Sequence, residues 1–179
     1  MKTDNRGFTL TELIVSIAIF SIVLLAAFSF MTAGAKSYTN VEGRVTRQLK
    51  AQLALNQISS CLMNCNAGVN LSDDKSELYL LSRDGGGYTL QVFRRSADGT
   101  LQYGSAAAEA TRDGSAYTAA VTNWSRVASG VERFSLALSP ESGELRKADI
   151  TLQFSGGASS FSQTIALRNA PPRVTLIVS

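Results

Sequence analysis

The sequence predicts an α+β protein in which a long N-terminal helix, first membrane-spanning and then amphipathic, packs on a small antiparallel β-sheet. Three observations support this class. An uncharged apolar run extends from Leu13 to Met31, apolar residues then recur at helical spacing as far as Leu62, and the period changes to two after residue 70. Such a run is close to the roughly 20 residues that a helix needs to cross a bilayer, and a period of two indicates strands.

The leader before the apolar run predicts the orientation of the chain. It carries Lys2 and Arg6 against a single Asp4. Positive charge beside a membrane span stays on the cytoplasmic side, so the remainder is expected outside. A secretory signal peptide is one explanation, since Ala33-Gly34-Ala35 offers a small-residue cleavage pattern. A plain single-span anchor is another, but neither gives Glu12 a task.

The segment Gly7-Phe8-Thr9-Leu10-Thr11-Glu12, followed by the apolar run, resembles the processing site of type IV prepilins and type II secretion pseudopilins. The resemblance implies cleavage after Gly7 by prepilin peptidase and methylation of the new amine of Phe8. It also implies a pilin-like fold and a structural, non-enzymatic subunit of a filament.

The resemblance also implies a role for Glu12 in filament assembly. A charge within a bilayer costs a few kcal/mol, so it is expected to have a partner or a task. In a filament, the amine of Phe8 in one subunit approaches the carboxylate of Glu12 in its neighbour. Two charges that neutralise each other in an apolar bundle cost far less than two isolated ones. The alternative is an interfacial side chain that reaches the headgroups.

The helix is expected to continue past the membrane, because no proline occurs before Pro140. Its second half carries apolar residues at near-helical spacing, expected to form one stripe that packs on the globular domain: Val41, Val45, Leu49, Leu53, Leu55, Ile58 and Leu62. The predicted organisation is a removed leader 1–7, a membrane or filament-core half 8–31, an amphipathic half 32–65 and an extracellular β-rich domain 66–179.

Cys61 and Cys65 lie four residues apart at the predicted end of the helix. Outside the cell, cysteines are more often paired than free. A bridge across one turn would close only a small loop and stabilise modestly. The sequence therefore leaves two alternatives for this pair, a local disulfide or two buried free thiols. A metal site is not expected, because the chain has no histidine and no third cysteine.

The remainder of the chain has strand and turn signals. Residues 78–81, 90–93 and 101–103 read as strands, with glycine-rich turns at 83–87 and 97–99. Residues 104–118 are rich in Ala, Gly and Ser without a period and predict a loop, and Trp124 lies near a further short strand. Alternating apolar residues predict a second group of strands: Phe134, Leu136, Leu138, Ile150, Leu152, Phe154 and the run 161–167.

The last strand, residues 173–178, follows Pro171-Pro172. Prolines confine it to an edge or to a detached tail. The order of these features, ending in Ala166-Leu167-Arg168-Asn169, resembles minor subunits of the J type among pseudopilins and the W type among pilins. The residues after Asn169 are not part of that resemblance.

The sequence gives little support for general-base catalysis, a cofactor, a calcium site or a nucleic-acid site. The absence of histidine removes the commonest general base, and no cofactor motif is present. Three of the aspartates that could suggest calcium precede glycine, as in ordinary turns, which argues against a calcium site. The full set is Asp73, Asp74, Asp84, Asp98 and Asp113. Arg94 and Arg95 are adjacent on a strand and point to opposite faces, so no specific nucleic-acid site is predicted.

The sequence therefore predicts a minor pilin or pseudopilin in the cell membrane, with its domain outside and later in a filament. The resemblance implies four kinds of partner: other pilin subunits, prepilin peptidase, an inner-membrane assembly platform and membrane lipid. The alternative is a membrane-anchored extracellular binding domain that never polymerises.

Overall fold

A computed structural model describes residues 9–112, 116–140, 144–156 and 160–178. It confirms the α+β class. One helix, α1, covers Leu10–Asn64. Ten strands follow: β1 Gly68–Leu71, β2 Glu77–Asp84, β3 Gly87–Arg95, β4 Thr100–Ala110, β5 Ala116–Ala119, β6 Trp124–Ser129, β7 Val131–Ser139, β8 Lys147–Phe154, β9 Ser160–Ala166 and β10 Thr175–Val178.

The chain divides into two compact units, Met1–Thr46 and Arg47–Ser179. The described part of the first unit consists of helix from Leu10 onward, and every side chain from Thr9 to Glu42 is exposed. The second unit contains the end of α1 and all ten strands. The hydrophobic core that stabilises the globular part therefore lies within this second unit.

The strands form two sheets rather than the single small sheet expected. The larger sheet has seven strands in the order β1-β2-β3-β4-β5-β10, with β6 paired to β4, and the smaller has the order β7-β8-β9. All pairs are antiparallel except β5 and β10, which run parallel. The last strand is thus an edge strand, one of the two alternatives predicted, and not a detached tail.

The hairpin predictions are confirmed. β2 and β3 pair from Glu77↔Arg94 to Asp84↔Gly87, and Gly85 and Gly86 make the turn with positive φ angles of 56° and 116°. Glycine adopts such angles without the steric penalty of a Cβ atom. The next turn uses Gly99, with φ 76°.

The predicted loop over residues 104–118 is wrong for most of its length. β4 continues to Ala110, and β5 begins at Ala116. Small residues are favoured here because partners approach closely. A Cβ atom at Gly104 would overlap the side chain of Val121 and crowd Trp124. Because these small strand residues do not alternate between apolar and polar, the sequence pattern did not predict the strands.

The main core joins the end of α1 to both sheets. Its helical members are Ala51, Ala54, Leu55, Ile58 and Leu62, and strand residues such as Leu80, Phe93, Leu136 and Ile150 complete it. The predicted alternation in β7 and β8 is confirmed, since Phe134, Leu136, Leu138, Ile150, Leu152 and Phe154 are all buried.

The predicted helical stripe needs correction. Leu55, Ile58 and Leu62 are buried, but Val41, Val45, Leu49 and Leu53 are exposed. At about 100° per residue, the second group points about 150° away from the buried face. The predicted stripe therefore combined residues from two different faces of the helix. The buried face also uses the small residues Ala51 and Ala54, which the apolar pattern did not single out.

A second core lies on the other face of the larger sheet. It contains Leu81, Leu90, Val92, Ala108, Ala119 and Val121, with Leu176 of β10 packed against it. Leu80 and Leu81 are neighbours in β2 but belong to different cores, because successive side chains of a strand point to opposite faces. The sheet is therefore buried on both faces.

Candidate functional site

The N-terminal motif leads into the first turn of α1. Gly7 and Phe8 lie outside the described residues. Thr9 is the N-cap: the amides of Glu12 and Leu13 donate to its carbonyl at 3.1 and 3.2 Å, and the Glu12 amide also lies 3.3 Å from Thr9 Oγ1. The Glu12 amide thus shares its hydrogen bond between the carbonyl and the hydroxyl of Thr9, as at a capped helix start.

Glu12 occupies the third helical position after this cap and is exposed. Thr-x-x-Glu at a helix start is the pattern of a capping box. A carboxylate there also interacts favourably with the positive end of the helix dipole. Glu12 thus has a local stabilising position that the resemblance to prepilins did not reveal, although the Thr9-Leu10-Thr11-Glu12 spacing signals it.

The apolar helix that follows presents its side chains outward on all sides. Exposure of its large side chains ranges from 41% at Leu24 to 86% at Phe30. The hydroxyls within this stretch bond to carbonyls of the helix itself, for example Ser16 to Glu12 at 2.7 Å and Ser21 to Ile17 at 2.8 Å. Such bonds satisfy polar groups where water is absent.

By length and composition, α1 is a helix that can cross a membrane, and it is the one such helix among the described residues. Its apolar portion lies near the N-terminus. The large apolar side chains of this portion are exposed.

Cys61 and Cys65 are free thiols in the structure. Cys65 lies just after the helix and is fully buried, and its Sγ donates to the carbonyls of Gly68 and Leu81 at 3.0 and 3.2 Å. Burial raises the pKa of both thiols. Cys65 is a core residue, and Cys61 is partly buried against the same core.

Asp74 and Asp98 stabilise turns. Asp74 accepts bonds from the hydroxyls of Ser72 and Ser76, both at 2.6 Å, and these bonds lower its pKa to about 2. Bonds from Thr100, through its hydroxyl and its amide, likewise lower the pKa of Asp98. Asp113 lies outside the described residues, and the described ranges contain no group of three residues able to hold a metal ion.

The two neighbouring arginines are engaged on different faces. Arg94 lies 3.5 Å from the ring centroid of Trp124, and its Nε donates to Gln102 at 3.1 Å. Arg95 Nε donates to the carbonyl of Val131 at 2.8 Å. Each side chain therefore has an intramolecular task, and the pair does not form one basic patch.

A family model described as the prokaryotic N-terminal methylation motif matches residues 2–28. No curated protein and no solved structure matches the chain. The matched residues contain Gly7, Phe8, Glu12 and much of the apolar helix. The chain therefore carries an N-terminal methylation motif on a long apolar helix, consistent with the type IV prepilin-like and pseudopilin family of membrane-anchored, single-pass structural proteins that prepilin peptidase processes.

Proposed function

We propose that the chain is a minor pilin or pseudopilin subunit of a type IV pilus-like or type II secretion filament. Prepilin peptidase removes residues 1–7 and methylates the amine of Phe8. Residues 8–31 first anchor the subunit and later form the filament core, residues 32–65 continue the helix, and residues 66–179 form the outer domain. The methylation motif, joined directly to an exposed apolar helix, is the observation that carries this proposal.

The proposed orientation follows from charge. Lys2 and Arg6 keep the leader in the cytoplasm, where a membrane peptidase can cut it. The outer domain then lies on the opposite side, in the periplasm or outside the cell. Before assembly the apolar helix contacts lipid, and the inner-membrane assembly platform transfers it from lipid to neighbouring subunits.

Helix packing supplies the driving force for the proposed assembly. The exposed apolar side chains between Leu13 and Met31 can pack on those of neighbouring helices in the filament core, outside the bilayer. Beyond them, Val41, Val45, Leu49 and Leu53 follow a spacing of four and are exposed. Hiding apolar surface from water stabilises by about 25 cal/mol per Å². These residues offer contact area for a neighbouring helix without disturbing the core.

Glu12 is proposed to pair with the amine of Phe8 in the adjacent subunit. The apolar surroundings make that pairing strong, because an unpaired charge there costs a few kcal/mol. A pair between subunits also fixes one axial register, as buried polar groups do in coiled coils. The capping position of Glu12 is compatible with this role, since both use the first turn of the helix.

Substitution of Glu12 separates pairing from capping. Glutamine fits the capping box as glutamate does but has no charge, whereas alanine lacks both functions. Each variant is expressed with prepilin peptidase and the companion pilins, and its N-terminus and its amount in sheared filaments are measured. Normal processing with loss of filament incorporation for both Glu12→Gln and Glu12→Ala is expected. Incorporation of Glu12→Gln at the wild-type level would contradict the charge pairing.

A further inference from the structure

The C-terminal segment, residues 171–178, bonds to two strands, β1 and β5, that are not hydrogen-bonded neighbours in the sheet. Val69 of β1 donates its amide to the carbonyl of Pro172 at 3.0 Å and accepts from the amide of Val174 at 3.4 Å. The segment then leaves β1, and Thr175–Val178 pairs in parallel with Ala116–Ala119. The segment therefore fills a seat between β1 and β5.

The seat is shaped for this segment. Gly68 of β1 leaves room for Val174, because a Cβ atom at Gly68 would overlap both methyl groups of that valine. Leu176 packs on the second core, whereas Ile177 is 55% exposed. Successive side chains of the segment are thus alternately packed on the domain, as at Leu176, and exposed, as at Ile177.

The connection into the segment is short and strained. Asn169 is held to the end of the helix by a bond from its Nδ2 to the carbonyl of Cys65 at 3.1 Å. Ala170 follows with a φ of 43°, a left-handed conformation that a residue with a Cβ atom adopts at a cost. Pro171 and Pro172 come next and fix their own φ angles. The turn that folds the segment back onto its own domain therefore contains one strained residue, Ala170.

We propose that residues 171–178 form an exchangeable strand, which in a pair of copies occupies the seat between β1 and β5 of the other copy. The occupant is a second copy of this chain, because the seat already accommodates Val174 and Leu176 of this sequence. Exchange keeps every contact of the segment and allows Ala170 to leave its strained conformation, the situation that favours strand swapping. It would join two globular domains and does not depend on filament assembly.

Two cysteine variants in separate chains, each on a Cys61→Ala and Cys65→Ala background that removes the native free thiols, test the exchange. Thr118 and Ile177 are register partners in β5 and β10 and are both exposed, so Thr118→Cys and Ile177→Cys can form a disulfide in either arrangement. The full-length chains, one of them tagged, are co-expressed and oxidised gently in membranes. A disulfide-linked dimer of the two variants is expected, and each variant alone should give none.

Two controls provide reference yields for the disulfide between positions 118 and 177. A single chain with both substitutions gives the yield for the seated geometry. Thr118→Cys with Ser162→Cys, an exposed residue of β9, gives the yield from collisions. Ala170→Gly should lower the mixed-dimer yield about fivefold, because glycine removes the strain at that φ. A mixed-dimer yield no higher than the collision control, with efficient bridging in the double variant, would overturn the proposal.

Discussion

The two parts of α1 use apolar residues in opposite ways. In the first unit the helix is apolar and exposed, with Phe30 at 86% exposure. In the second unit one face is closed against the sheets, and Ile58 and Leu62 are fully buried. The same class of side chain thus builds a contact surface in one part and a core in the other. Burial is decided by which face meets a partner, and hydrophobicity alone does not reveal it.

The largest effect is expected from removing a leucine on the buried face. Leu62→Ala should lower the free energy of unfolding of the globular unit by about 2–5 kcal/mol, because it leaves a cavity. Leu53→Ala is the matched control, since Leu53 is 67% exposed, and it should change stability by less than about 0.5 kcal/mol. Urea unfolding of the detergent-solubilised chain measures both. Similar losses for the two variants would remove the distinction between the faces.

A steric change tests the close approach within the second unit. Gly104→Ala places a Cβ atom against Val121 and should cost about 1–3 kcal/mol through forced repacking. Gly87→Ala is the control, because a Cβ atom there meets nothing within 4 Å. The same urea titration compares them. An unchanged midpoint for Gly104→Ala would show that β4 and the Val121 loop are not in close contact.

A smaller effect is expected at the start of the helix. Thr9→Ala removes the cap and should destabilise the first turn by about 1 kcal/mol, whereas Thr9→Ser keeps the hydroxyl. Amide hydrogen exchange at Glu12 and Leu13 measures the change, with faster exchange expected in the alanine variant alone. Equal exchange in all three chains would mean that Thr9 does not cap the helix.

The reactivity of the two cysteine thiols should be low at neutral pH and should increase with pH. Because burial raises the pKa of both thiols, less thiolate is present at a given pH, and alkylation of the folded chain should still accelerate as the pH rises past 9. Cys61 is partly exposed and should react before Cys65. Two titratable thiols are expected after denaturation without reductant. A count of zero would instead establish the disulfide.

Sequence reasoning predicted the elements that obey one period. The helix to residue 64, the two hairpins and the alternation in β7 and β8 follow directly from local pattern. The division between buried Leu55 and exposed Leu53 does not, because it depends on which helical face the sheets cover. The small residues of β4 and β5 also gave no periodic signal, since close approach selects them for size.

The C-terminal segment shows a different limit. Its prolines predicted either an edge strand or a detached tail, but its parallel pairing with β5 joins residues far apart in the chain. The fit of Val174 against Gly68 is a tertiary fact with no local signature. At the N-terminus the situation is reversed, because a short motif predicted the processing site, while Gly7 and Phe8 lie outside the described residues.

The central claim is that the N-terminal motif is a processing site that turns a membrane helix into an assembly surface. Intact mass with N-terminal fragmentation, on the full chain expressed with prepilin peptidase, tests it most directly. The account predicts a chain that begins at Phe8 and carries one added methyl group. A chain that still begins at Met1, or one that begins at Lys36 after signal-peptide cleavage, would contradict it.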